Sequence, residues 1–317
     1  MLDIIMPHYD EPWSTGKPFF DMLGAQRMVD FRKIRVILVH DGTSVFDRKI
    51  FAEYPFEVDQ YRIEHRGVAA ARNFGLRKAE AEWVTFCDFD DLYTDVYALK
   101  MITDTFGQND FDLLWNPIIM EDYNHGEFRI YPLDRFNMIF IHNKYFRREF
   151  LMKTGLWFNE SLSYAEDSAF LAILNVMLGE KRVGEIKSLS PLYAWTYRIG
   201  SVTTNPANRP KNVRQLFEAN KYISAEFERL HYKDAALMKF RTVTDAYFGL
   251  TGEDAPDCGD LKQEVLAYWK ANRKEIGAKS RKDLDRVYRS SMKSGRRGRP
   301  ETTRPSLADW LKEGSDD

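Results

Sequence analysis

The sequence predicts an α/β chain in which a mostly parallel sheet carries helices on both faces and a helical appendage follows. Three observations support this. Short apolar runs alternate with helical patterns through the first third. Polar clusters follow the runs ending at Met6, Val39 and Cys87, at the carboxyl ends where such sheets bind ligands. After about Asn205 the pattern turns to helices alone.

Taken in order, Leu2–Met6 is a five-residue buried strand interrupted by Asp3 and closed by Pro7. A helix is expected from Lys17 or Pro18 to about Val29. Ile34–Val39 is a second strand, cut off by the turn-forming Asp41-Gly42. Phe56–Ile63 reads as a third strand, Val68–Ala81 as an Ala- and Arg-rich helix, and Trp83–Cys87 as a fourth strand. The aromatic middle, 111 to 200, holds a helix over Glu166–Leu178 and strands near Arg182–Ile186 and Leu192–Tyr197. Helices are then expected near 210–230, 234–249, 258–275 and 279–292, with a short one at Leu307–Leu311. The expected domains are 1–205 (catalytic), 206–293 (helical appendage) and 294–317 (a mobile tail).

A hydrophobic content of 44% over 317 residues supports a sizeable core and excludes a disordered chain. The two cysteines, Cys87 and Cys258, match no zinc or redox spacing, which fits a reducing, cytoplasmic setting. No stretch resembles a signal peptide, and none approaches the roughly 18–20 apolar residues of a membrane span. The net charge of −2 hides an asymmetry. From Lys270 to Arg299 twelve Lys/Arg face three Asp/Glu, a local +9 that leaves −11 elsewhere. That separation suits a polyanionic partner (nucleic acid, wall polymer or an anionic membrane surface) and equally a solvated helical face.

The strongest chemical signal is Asp88-Phe89-Asp90-Asp91 after the apolar strand. Three crowded carboxylates repel one another and call for a cation; oxygen ligands of this kind suit Mg²⁺ or Mn²⁺. The same turn would also cap a helix starting near Asp95. His8, His40, His125 and His142 show no ligand spacing and read as structural.

Five segments in sequence order carry a resemblance. They are Ile4-Ile5-Met6-Pro7-His8-Tyr9-Asp10-Glu11, Val39-His40-Asp41-Gly42-Thr43, His65-Arg66-Gly67 leading into Ala71-Arg72-Asn73-Phe74-Gly75, Phe86-Cys87-Asp88-Phe89-Asp90-Asp91, and Ala165-Glu166-Asp167 with Tyr197-Arg198-Ile199-Gly200-Ser201. Over residues 1 to 205 the chain resembles glycosyltransferase family 2. The resemblance implies a GT-A (Rossmann-like) domain and an inverting, metal-dependent transfer from a nucleotide-diphosphate sugar, a UDP-sugar, with Mn²⁺ or Mg²⁺. Pro7, Tyr9 and Glu11 would line the uridine pocket, Asp41 would bond the uracil, and His65 and Arg72 would face the nucleotide. Asp88 would reach the ribose, with Asp90 and Asp91 at the metal. Asp167 would be the catalytic base with Glu166 beside it, and Arg198 and Ser201 would close over the pyrophosphate. His40 and His65 depart from the family's usual acidic residue and Asn.

The acceptor implied is a glycan or wall polymer. The alternatives are a hydroxymethylated base in DNA, reached by flipping, and a non-catalytic polyanion-binding protein with a degenerate transferase domain. A nucleotidyltransferase would want a Gly-rich phosphate loop where Pro7-His8-Tyr9-Asp10-Glu11 stands.

Overall fold

The computed structural model describes residues 1–108, 110–124, 127–179, 182–201, 205–252, 255–295 and 304–312. The chain divides into two compact units, Met1–Arg198 and Ile199–Asp317. His125 and three cations of the basic stretch, Arg296, Arg297 and Arg299, lie outside the described residues.

The first unit opens with β1 (Leu2–His8), α1 (Trp13–Gly24), β2 (Ile34–Asp41), β3 (Glu57–Ile63), α2 (Val68–Lys78) and β4 (Trp83–Phe86). It continues with β5 (Leu92–Tyr93), α3 (Ala98–Thr105), β6 (Leu113–Trp115), β7 (Ile118–Asn124) and β8 (Glu127–Leu133). Then come β9 (Lys144–Arg147), α4 (Arg148–Thr154), α5 (Glu166–Met177), β10 (Val183–Glu185) and β11 (Tyr193–Trp195).

Seven strands form the main sheet in the order β10-β6-β9-β4-β1-β2-β3. Every pairing is parallel except those of β9, which runs antiparallel to both β4 and β6. A four-stranded sheet, β5-β11-β7-β8, stands beside it in the same unit. β1 is buried at all seven positions, as a central parallel strand covered on both faces must be. Asp3 is tolerated there because Arg35 grips it with two nitrogens, at 3.0 and 2.9 Å, and the amides of Glu80 and Ala81 donate to it.

α1 buries Phe19, Phe20 and Leu23 against the sheet, each worth about 1.5–3 kcal/mol of apolar transfer. It begins at Trp13, earlier than Pro18 suggests, because the indole packs on Phe20, Phe46 and Phe51. It ends at Gly24 rather than near Val29. α2 packs on β1 and β2. The approach is close enough that a Cβ at Gly75 would sit 2.4 Å from Ile5 Cγ2, so only glycine fits there.

The second unit holds α6 (Arg209–Arg229), α7 (Ala235–Leu250), α8 (Leu261–Gly277), α9 (Arg281–Gly295) and α10 (Leu307–Lys312). Its core gathers Phe217, Val243, Tyr247, Phe248, Leu261, Val265 and Trp310. Trp310 of α10 is 2% exposed and packs edge-on to Tyr247. Among the described residues no helix is long and apolar enough to cross a membrane.

Candidate active site

The carboxyl ends of β1, β2, β4 and β11 and the N-terminus of α5 meet at one rim of the first unit. β1 delivers Pro7 and His8, then Tyr9, Asp10 in a left-handed conformation, and Glu11. β2 delivers His40, Asp41 and Gly42, and β4 runs into the acidic turn. β11 leads to Thr196, Tyr197 and Arg198.

Asp41 is buried and most of its acceptor capacity goes to the loop after β3. Its carboxylate takes the amides of Arg66 (2.8 Å) and Gly67 (2.9 Å) and the Nδ1–H of His65 (2.9 Å). Gly42 lies beneath that loop with φ +86°, and a Cβ there would meet His65 Cβ at 2.6 Å. His65 in turn stacks on Tyr9, ring centroids 4.5 Å apart and planes 26° from parallel. Both rings are largely exposed and form a flat aromatic step. An open depression lined by Gly42, Arg62, Ile63, Glu64 and His65 adjoins it.

The acidic turn divides its carboxylates among different partners. Asp88 accepts from Arg72 Nη2 at 2.9 Å and His142 Nε2 at 3.0 Å. Burial works against its charge, but His142 and Arg72 outweigh that and hold the carboxyl well below the ordinary range. Asp91 is 1% exposed, accepts from the Tyr193 hydroxyl and the Thr196 amide at 3.0 Å each, and lies 3.6 Å from His142 Nε2. Burial pushes it well above its ordinary value against the pull of His142, with Asp88 and Asp90 adding repulsion. Asp90 accepts from Arg198 Nε at 2.8 Å, and burial and Asp88 raise it nonetheless. Arg198 also donates to Glu11 Oε1 at 3.0 Å, so it joins the loop after β1 to the acidic turn.

α5 starts abruptly. Ala165 sits at φ +63°, a strained position for a residue with a Cβ, and Glu166 and Asp167 occupy the first helical turn, where the helix dipole favours acids. Glu166 is buried on Arg72 Nη1 at 2.6 Å. Asp167 is half-buried and accepts from the Ser168 amide through Oδ1 at 2.7 Å; among the described residues Oδ2 has no protein hydrogen bond. Its charge reaches the acidic turn's neighbours: it raises the affinity of buried His142 and Lys144 for a proton. Burial nevertheless brings the Lys144 ammonium down to about 7.

Residues matching Glycosyl transferase family 2 extend from 3 to 165, half of the chain. The chain belongs to glycosyltransferase family 2. The EpsJ protein of Bacillus subtilis (strain 168), an uncharacterized glycosyltransferase, is 27% identical over 199 residues, 54% of this chain and 54% of that protein. TarS of Staphylococcus aureus (strain Mu50 / ATCC 700699), a poly(ribitol-phosphate) beta-N-acetylglucosaminyltransferase, is 26% identical over 75% of this chain and 43% of its own length. The chain thus spans about half the length of these curated relatives. The crystal structure of S. aureus TarS 1-349 in complex with UDP-GlcNAc superposes with a TM-score of 0.54 at 16% identity, covering 94% of this chain and 92% of that one. The fold is GT-A.

Within this family 2 domain, most of the expected site residues come together. Tyr9, Glu11, Asp41, His65, Asp88, Asp90, Asp91 and Arg198 form one continuous network, and Arg72 ties Asp88 to Glu166 beside Asp167. Three positions differ in character from the expectation. Asp88, read as reaching the ribose, lies with Asp91 and His142 within ligating reach of one another, a group that does not include Asp90. Arg72, read as facing the nucleotide, is 3% exposed and braces α2 against α5 and the acidic turn. Asp41, read as bonding the base directly, also holds the loop after β3, with Oδ2 taking two hydrogen bonds from it and Oδ1 one. Ser201 falls beyond the unit boundary, in the second unit.

His142 was missed by sequence reasoning. Its nitrogen lies with one oxygen each of Asp88 and Asp91 in a group whose ligand atoms are all within 4.8 Å of one another. It reaches the turn because β9 runs antiparallel to β4, so the residues just before β9 meet the residues just after β4. The one signal available was a polar run, His142-Asn143-Lys144, inside an otherwise apolar and aromatic stretch.

Proposed function

We propose that the chain is an inverting, metal-dependent glycosyltransferase that moves a sugar from a UDP-sugar to a hydroxyl of a phosphate-bearing wall polymer or related glycan. The observation that carries this is the meeting of an acidic turn, an arginine and a half-buried aspartate at one rim. Asp88, Asp90 and Asp91 supply charge for a diphosphate's counter-ion, Arg198 supplies a cation for the diphosphate itself, and Asp167 Oδ2 supplies a base.

The residues present fit a divalent ion. Two carboxylates and an imidazole sit within ligating reach of one another, and burial, with repulsion from Asp88, raises the affinity of Asp90 and Asp91 for a proton, a cost that a bound cation would relieve. Asp88, Asp91 and His142 would hold the ion, with Asp90 alongside. When bound, it would neutralise charge developing on the departing diphosphate.

The chain's own groups account for the rest. Asp167 takes the proton of the acceptor hydroxyl as that oxygen bonds the anomeric carbon and the bond to the diphosphate breaks. Arg198, held by Asp90 and Glu11, is the cation that meets the leaving charge in this reading. The Tyr9–His65 step offers a stacking surface to the base, and Asp41 fixes that step through the loop it grips. Uridine is favoured by the UDP-GlcNAc complex of TarS, and the wall-polymer acceptor by TarS and the minor teichoic acid biosynthesis proteins GgaA and GgaB of B. subtilis.

A panel of nucleotide sugars with Mn²⁺, read by released nucleoside diphosphate, tests the donor side. UDP-sugars should turn over and chelation should stop them; turnover undiminished by chelator would remove the metal from the scheme, and no turnover of any donor would sink the reading.

α9 supports the acceptor side. Lys282, Arg286, Arg289 and Lys293 are exposed and fall within one narrow stripe, opposite Ser291, which is 1% exposed and bonded to Thr244. Four cations along about 16 Å of helix suit a chain of phosphates. Replacing all four by Glu should weaken retention on poly(ribitol phosphate) on the order of tenfold at low salt and flatten its salt dependence. Unchanged retention would make the stripe a solvated face, and selective loss of duplex DNA binding would favour a nucleic-acid acceptor.

A further inference from the structure

Beneath the Tyr9–Glu11 loop lies a buried polar chain that the scheme above does not use. His8 and His40 are 4% and 0% exposed, at the ends of neighbouring strands, with their Nδ1 atoms 2.9 Å apart. The chain is anchored at Gln60 of β3, whose Oε1 accepts the Phe46 amide at 3.0 Å and whose Nε2 donates to the Phe46 carbonyl at 3.1 Å. That double bond to the backbone fixes which end of the amide is oxygen.

The proton count follows link by link. His40 Nε2 is 2.9 Å from Gln60 Oε1, an acceptor, so His40 must donate from Nε2. The two Nδ1 atoms hold one hydrogen between them; the Glu11 carboxylate, 3.9 Å from His8 Nε2, favours the charge on His8, so His8 donates and the neutral His40 accepts through a bare Nδ1. On the other side of the ring, His8 Nε2 lies 2.8 Å from the Glu11 carbonyl, which can only accept. His8 therefore needs hydrogens on both nitrogens.

We infer that the His8–His40 pair carries one proton more than two neutral rings, located on His8, and that this buried imidazolium is a positioning residue that pins the Tyr9–Glu11 loop for the donor. This rests on the donor reading above. Pinned at its carbonyl, Glu11 uses its carboxylate to take the Tyr9 amide at 2.9 Å and Arg198 Nη2 at 3.0 Å. The imidazolium thus acts through Glu11 on both the aromatic step and the cation at the diphosphate end.

The surroundings agree. Among the described residues, the titratable groups facing the pair are each other and Glu11, whose Oε2 is 3.9 Å from His8 Nε2. The other neighbours are uncharged: the Thr43 hydroxyl, the Gln60 amide, and the rings of Phe46 and Phe89. Burial, then the charge of His8, brings His40 down to about 4, which keeps it the neutral member. Two imidazoliums in contact would repel, and two neutral rings would leave the Glu11 carbonyl facing a lone pair.

Histidine-selective ¹⁵N labelling of the full chain, which has six histidines, reads the ring nitrogens without any sugar being transferred. At neutral pH His8 should show two protonated nitrogens and His40 the Nε2–H tautomer, with assignments from loss of signal in His8→Gln and His40→Asn. A neutral His8 overturns the proposal whatever the enzyme's substrate. For the positioning role, His8→Leu, which removes the hydrogen bond to the Glu11 carbonyl, should raise the donor KM about tenfold with kcat unchanged, because one charge-assisted bond to the loop is lost. His8→Gln, which still offers Glu11 an amide N–H, should recover most of that loss. A donor KM unmoved in His8→Leu, or a fall in kcat instead, overturns the role.

Discussion

Replacing Asp167 by Asn is expected to lower transfer by roughly 10²- to 10⁴-fold, the usual worth of a positioned general base, while donor binding stays within about twofold of wild type. The substitution is nearly isosteric. An Asn oxygen can still accept the Ser168 amide that Asp167 Oδ1 takes at 2.7 Å, so the start of α5 is preserved. What disappears is the basic Oδ2, which among the described residues has no protein partner. Neither the Tyr9–His65 step nor Arg198 touches Asp167, so the nucleotide's contacts should survive. Initial rates of transfer, set beside calorimetric titration of UDP, separate the two effects. An equal loss of UDP binding would show that Asp167 belongs to the donor pocket, and an unchanged rate would place the base elsewhere.

Much of this site was legible because it hangs on strand ends. The runs Leu2–Met6, Ile34–Val39 and Trp83–Cys87 read as buried parallel strands, and whatever polar cluster follows such a strand falls at the ligand-binding rim. Asp41, Asp88 and the acidic turn were placed by that logic, and Asp167 by its family motif. The middle of the chain was not legible in the same way. β10 and β11 fall where strands were expected, but β6 and β9 are only three or four residues long, too short for any periodicity to declare itself. The reversal of β9 is therefore invisible in sequence, and with it the arrival of His142 at the acidic turn. His8 and His40 read as structural for a related reason. Their meaning lies in a contact across two strands and in the backbone of Phe46, and neither leaves a trace in spacing. Arg72 was singled out as facing the nucleotide, and its two partners went unseen: an arginine in an Ala-rich helix offers no sign that the half-buried Asp88 and the buried Glu166 wait for it 16 and 94 residues away.

Those two acids make Arg72 a position where a single change should cost the fold heavily. Its guanidinium is inside the protein, with Nη1 on Glu166 at 2.6 Å and Nη2 on Asp88 at 2.9 Å, and it lies 5.7 Å from the centre of the Phe158 ring. Arg72→Met keeps much of the stem's volume and removes the charge. Breaking a buried ion pair from one side leaves the partner charge uncompensated, at a cost of about 3–5 kcal/mol. Here two carboxylates are stranded, though His142 still serves Asp88. Glu166 already binds its proton more tightly than usual, because burial raises it against Arg72's pull. Without Arg72 that affinity rises further, so the variant's deficit should be greatest at neutral pH and shrink in acid, as Glu166 enters the folded state protonated. Chemical denaturation of wild type and Arg72→Met at pH 7.5 and pH 5 measures this directly. A deficit that does not change with pH would mean that packing against Phe158, and not charge, is what Arg72 contributes. A deficit below about 1 kcal/mol would mean that water reaches these acids freely and that the brace between α2, α5 and the acidic turn is not closed to solvent.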